Sequence, residues 1–137
     1  IEASVKFSFN LNIACPKKYK PNRKLLNWAK KNKGKIKIFY NCKSAAKGSD
    51  VIFTDKVISM NDKLNKKKKL KEFKNFKVNS IVMSYAKKDA IFLHCLPRGS
   101  EVSNDVFFGK QSQVFQQAQN RIYVQKSILL YCFEKLR

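Results

Sequence analysis

Apolar and polar residues alternate through "FSFNLNIACP", Phe7 to Pro16, and the chain takes on a strand-like pattern almost from Ile1. The alternation predicts a strand that ends in a turn at Pro16. "PNRKLLNWAKKNKG" then places Leu25, Leu26, Trp28 and Ala29 at helical spacing before Gly34, which predicts a helix and its stop. "KIKIFYN" predicts a second strand and "CKSAAKGSD" a short helix closed near Gly48. "DVIFTD" predicts a third strand, whose unbroken apolar run suits burial on both faces. A loop follows, and then a lysine-rich amphipathic stretch whose apolar side is Leu70, Phe73, Phe76 and Val78. "AIFLHC" predicts a fourth strand, "SQVF" is a candidate short fifth, and "NRIYVQKSILLYCFEKL" predicts a closing helix. Strands that alternate with helices predict an α/β fold, doubly wound, with a mainly parallel sheet and helices on both faces.

Composition narrows the class. A chain of 137 residues with 44% hydrophobic and 12% aromatic residues has the material for one domain with a real core, and 4 Gly and 3 Pro exclude a linker-like chain. The 30 Lys and Arg outnumber the 9 Asp and Glu, giving a formal charge of +21, so nucleic acid and anionic membranes are the first partners to weigh. The lysines are spread over the whole chain, as on any solvated lysine-biased surface, and a nucleic-acid partner is not the favoured reading. Cys15, Cys42, Cys95 and Cys132 are far apart, with no C-x-x-C pair and a single histidine, which argues against a zinc site. Without a signal peptide or a long apolar segment, the expectation is a cytoplasmic protein with free thiols and no membrane contact, or one of the mitochondrial matrix if eukaryotic. The start at Ile1 fits a piece of something larger.

In a parallel α/β sheet, ligands bind beyond the carboxyl ends of the strands. Strand three ends at Thr54 and Asp55 and leads to Ser59; strand four ends at His94 and Cys95 and leads to "LPRGSEV". Asp55, Ser59, His94 and Cys95 could therefore converge, although an Asp after a strand usually caps a turn and a single Cys or His is usually structural. Adjacent strand residues point to opposite faces, so a His94–Cys95 nucleophilic dyad is disfavoured. Pro97 has no N–H and biases Leu96 toward extended geometry, which would leave the last strand carbonyls free for a ligand's NH groups. Arg121, read as near the start of the last helix, gains nothing from the helix dipole there, which suggests a use. Neither G-x-G-x-x-G nor a P-loop occurs.

At these residues the chain resembles the ornithine carbamoyltransferases. "HCLP", His94 to Pro97, is similar to that family's ornithine-loop signature, "SDVIFTDKVISM" to its strand carrying Asp and then Ser-Met, and "QSQVFQQAQNRIYVQKSILL" to its closing strand and helix. "IACPKKYKPN" resembles a further stretch, and the matches run in order over nearly the whole chain. The resemblance implies that residues 1–137 are the second, ornithine-binding domain, with the carbamoyl-phosphate-binding domain outside this chain. It implies carbamoyl transfer from carbamoyl phosphate to the δ-amine of L-ornithine, giving L-citrulline and phosphate in arginine biosynthesis, with no cofactor and in a homotrimer. Asp55 would hold the α-ammonium, Ser59 and Met60 would contact the amino-acid end, and Cys95 would sit by the δ-amine beside His94. The carbonyls of Cys95 and Leu96 would take the NH₂ of carbamoyl phosphate, and Arg121 would polarise its carbonyl oxygen. Val57, Asn61 and Gln119 stand where the family carries Trp, Gly and Glu. A carbamoyltransferase for another amine, such as putrescine, or a basic nucleic-acid-binding module remains an alternative. Salt dependence separates the latter.

Overall fold

The structure is a computed structural model that describes residues 1–58 and 66–135. Four short strands, β1 (Leu11–Ala14), β2 (Ile36–Phe39), β3 (Val51–Thr54) and β4 (Ile91–His94), form two parallel pairs, β1 with β2 and β3 with β4. Parallel pairing requires crossover connections, and helices supply them. α2 (Arg23–Lys31) joins β1 to β2, and α3 (Cys42–Ala46) joins β2 to β3. Between β3 and β4 come α4 (Lys66–Phe73) and α5 (Ser80–Met83). The order of elements is the α/β arrangement that the periodicity predicts.

Local chemistry explains where the helices start. Asn22, Asn41 and Asn79 each precede a helix, and their side chains accept from the N–H groups of Lys24, Ser44 and Val82 at 2.7, 2.8 and 3.0 Å. Each bond satisfies a donor that the first turn leaves without a partner. Gly48 ends the segment after α3 at φ +69, a left-handed conformation that costs glycine little. The core gathers Ile52 and Phe92 from β3 and β4, Val78, Val82 and Met83 around α5, Val102, then Val106 and Phe107 of a short helix α6 (Asn104–Phe107), and Val114. Phe92 is fully buried. Burial of a Phe side chain contributes about 1.5–3 kcal/mol.

Four sequence expectations are corrected. The first residues do not enter a strand: Glu2–Lys6 form a short helix, α1, and Phe7 and Phe9 are exposed beside Ser8 at φ 57, so β1 begins only at Leu11. β3 is covered on one face only, because Val51 and Phe53 are 48% and 58% exposed while Ile52 between them is buried. The "SQVF" strand reduces to one parallel bridge, Ser112 beside Phe92, because the chain turns directly into the last helix. That helix, α7, spans Val114–Lys135 and starts well before Asn120. Arg121 consequently lies about two turns inside it, and the helix-start argument for that residue does not apply.

Candidate functional site

The register of β3 and β4 places Thr54 opposite His94, so Asp55 and Cys95 are the next residues on two adjacent parallel strands. Neighbouring strands lie about 4.8 Å apart, which puts the two side chains within bonding reach at the carboxyl edge. The Cys95 thiol donates to Asp55 Oδ1 at 2.7 Å, and the Lys56 N–H donates to the same oxygen at 2.6 Å. The thiol bond, followed by the Lys56 N–H, holds the Asp55 carboxyl below its ordinary range. Burial pushes the Cys95 thiol up, and the Asp55 carboxylate adds to this by accepting its proton. The resting pair is therefore a thiol and a carboxylate. Asp55 is exposed, and its Oδ2 is the oxygen not used by these two bonds.

His94 points the other way, as the pleat requires. It is buried, with Nε2 3.0 Å from Glu101 Oε1 and Nδ1 against the Cys95 carbonyl. A ring nitrogen facing a carbonyl must carry its proton there, which leaves Nε2 and Glu101 joined through one shared proton. Glu101 is itself buried and accepts from the Gly99 N–H. A Cβ added at Gly99 would lie 2.6 Å from Glu101 Oε2, so the loop turns tightly around this carboxyl because no side chain stands there. Arg98 fixes the outside of the loop. Its guanidinium lies 4.8 Å from the Phe107 ring centroid and 5.4 Å from that of Phe108, and it also donates to the Asn104 side chain. The Leu96–Pro97 peptide is cis.

The structure brings Asp55, His94 and Cys95 to one edge, with His94 beneath it rather than on it. The expectation of two free carbonyls needs correction: that of Cys95 is engaged by His94, while that of Leu96 has no partner among the described residues. Arg121 makes no hydrogen bond or ion pair with a described residue, and its side chain is exposed. Gln117, one turn earlier on the same helix face, accepts the His94 N–H at 3.1 Å and so ties α7 to the strand end. Ser59 and Met60 lie outside the described residues. Glu101 and Gln117 escaped the sequence reading. The spacing of four to Arg121 was a signal for Gln117, but nothing local distinguishes Glu101 from a solvated loop acid. A cavity of about 410 Å³, lined by Ser80, Lys88, Lys110 and Gln111 among others, lies elsewhere, where the chain enters β4.

Fold and site together define a parallel α/β domain whose polar groups collect beyond the carboxyl ends of β3 and β4. The family described as aspartate/ornithine carbamoyltransferase, Asp/Orn binding domain, matches residues 1–132. The chain belongs to that family. It is 43% identical over 136 residues to an ornithine carbamoyltransferase of Nitratiruptor, covering 95% of this chain and 44% of that protein. It is 46% identical over 129 residues to one of Helicobacter hepaticus, covering 90% of this chain and 39% of that protein. Among solved structures, anabolic ornithine carbamoyltransferase from Campylobacter jejuni superposes with a TM-score of 0.88 at 38% identity, covering 96% of this chain and 46% of that one. The enzyme from Pyrococcus furiosus gives a TM-score of 0.81 at 35% identity, covering 93% and 42%. The chain thus spans less than half the length of these relatives. No described helix is long and apolar enough to cross a membrane.

Proposed function

We propose that this chain supplies the ornithine half of a carbamoyltransferase site, in a protein that converts carbamoyl phosphate and L-ornithine to L-citrulline and phosphate. The observation that carries the reading is the Asp55–Cys95 pair at the carboxyl edge, joined at 2.7 Å. An exposed carboxylate held ionised suits an ammonium group, and a protonated thiol beside it offers a neutral contact for the δ-amine, which must be uncharged to attack. In this reading Asp55 binds the α-ammonium, Ser59 and Met60 flank the amino-acid end, and Leu96 offers its carbonyl to the carbamoyl NH₂. Arg121 stabilises the carbonyl oxygen as charge grows on it in the tetrahedral transition state. The uncharged amine attacks, the C–N bond forms, the C–O bond to phosphate breaks, and the proton released from the nitrogen is taken up by the departing phosphate. No covalent enzyme intermediate is needed, because alignment of two bound substrates supplies much of the acceleration.

The names of the relatives reported above, ornithine carbamoyltransferases, support this substrate pair. A first domain that holds the phosphate, a homotrimer and a cytoplasmic location belong to the same proposal, as does arginine biosynthesis as its setting. The test is citrulline formation by this chain joined to a matching first domain, with putrescine as the control amine and Arg121→Ala as the control protein. Ornithine-dependent product that falls at least a hundredfold in the variant supports the reading. Product that forms equally well with putrescine, or that survives the loss of Arg121, refutes the assignment.

A further inference from the structure

Several lysines that the site does not use stand on the edge that carries the site. β1 and β3 flank one cleft, lined by Ala14 and Thr54 at their carboxyl ends as well as by Asn12 and Ile52, so the segments leaving β1 share an edge with Asp55. The segment after β1 is a 3-10 turn, Lys17–Tyr19, and α4 is fastened to it. Tyr19 packs its ring 4.8 Å from that of Phe73 and donates its hydroxyl to Glu72 at 2.5 Å, while Lys18 pairs with the same carboxylate at 3.4 Å. Glu72 is the one acid in α4, and these two partners take it up. Lys17, Lys20, Lys66, Lys67, Lys68 and Lys71 all remain exposed around it. Lys17 and Lys20 both stand over the Tyr40 ring, at 5.7 and 5.9 Å, where β2 ends. Of the other described acids near this edge, Asp55 is bonded to Cys95 and Glu101 is buried with His94. Asp50 and Asp89 stand at the opposite ends of β3 and β4.

We propose that this lysine rim is an electrostatic funnel that draws the anionic co-substrate, the carbamoyl phosphate dianion, to the carboxyl edge, and that it opposes the approach of cationic ornithine. The proposal rests on the carbamoyltransferase reading. A one-signed rim around a cleft raises the local concentration of the opposite charge and the rate of encounter by about 10- to 1,000-fold. Ornithine, with two ammonium groups and one carboxylate, feels the same field with the opposite sign. Salt screens both effects, since the Debye length falls from about 30 Å at 0.01 M to about 10 Å at 0.1 M.

The experiment uses the chain joined to its first domain and follows citrulline over that range of ionic strength. The expected result is a fall in kcat/KM for carbamoyl phosphate of about tenfold, a rising kcat/KM for ornithine, and an unchanged kcat. A variant with Lys17, Lys20, Lys66 and Lys67 all changed to Gln flattens the carbamoyl phosphate slope. A variant of equal charge at the other edge, with Lys6, Lys30, Lys31 and Lys35 changed to Gln, does so much less. Equal salt slopes for the two substrates, or equal slopes in the two variants, overturn the funnel while the transferase reading stands. Absence of carbamoyl transfer in the unmodified protein overturns the transferase reading itself, and the funnel with it.

Discussion

Removing the Glu101 carboxyl tests whether the loop after β4 is held from inside. Glu101→Ala takes away the partner of His94 Nε2, at 3.0 Å, and the acceptor of the Gly99 N–H, and both side chains of the pair are buried. A buried donor left without a partner costs about 1–3 kcal/mol, and breaking a buried ionic pair from one side costs about 3–5 kcal/mol. The two ranges meet at about 3 kcal/mol. With a urea dependence of about 1–3 kcal/mol per molar for a domain of this size, the unfolding midpoint falls by about 1–3 M. Glu101→Gln keeps a hydrogen-bonding side chain of the same shape in place, so it costs less, about 1 kcal/mol. Urea unfolding followed by circular dichroism measures both. If Glu101→Ala unfolds within about 0.5 kcal/mol of the unchanged protein, the pair does not hold the loop and the account of His94 as its anchor is wrong.

Four further outcomes are expected. Asp55→Asn removes the carboxylate that helps hold the Cys95 thiol up, so Cys95 is alkylated faster by iodoacetamide at fixed mildly alkaline pH, as read by peptide mass spectrometry; an unchanged rate contradicts the coupling. Because the folded Asp55 carboxyl titrates below its unfolded value, its contribution to stability is present above the unfolded value and disappears as pH falls through the folded one. The stability difference between protein and Asp55→Asn therefore closes in acid, and acid titration of both unfolding curves checks the sign. Gly99→Ala drives a Cβ to 2.6 Å from Glu101 Oε2 and destabilises by about 1–3 kcal/mol, and in the Glu101→Ala background the same change costs much less. Phe92→Ala, at the centre of the core, costs about 3–5 kcal/mol in the same unfolding assay.

The sequence by itself determined the alternation of strands and helices, since the period of apolar residues decides which face each element can bury. Three helix starts, at Asn22, Asn41 and Asn79, have a local cause that the sequence reading did not mark, an asparagine side chain that supplies the missing acceptor. The Gly48 stop was legible, because one backbone conformation favours that residue. The sequence pointed to Asp55, His94 and Cys95 because strand ends in a parallel sheet are where polar groups collect. Tertiary structure decided what those residues do. The register of β3 against β4 set Asp55 beside Cys95, and no local pattern encodes a pairing between residues 40 positions apart. Burial gave Glu101 a partner in His94 and turned a loop acid into an anchor. Residues 7–10 alternate as a strand does, yet they are exposed and lie beside no strand, and the N–H groups of Phe7, Ser8 and Phe9 go instead to carbonyls of Ala3, Val5 and Ser4. The position of Arg121 was misjudged because the start of α7 is set by where Val114 enters the core, and the residues around Asn120 have no part in that choice.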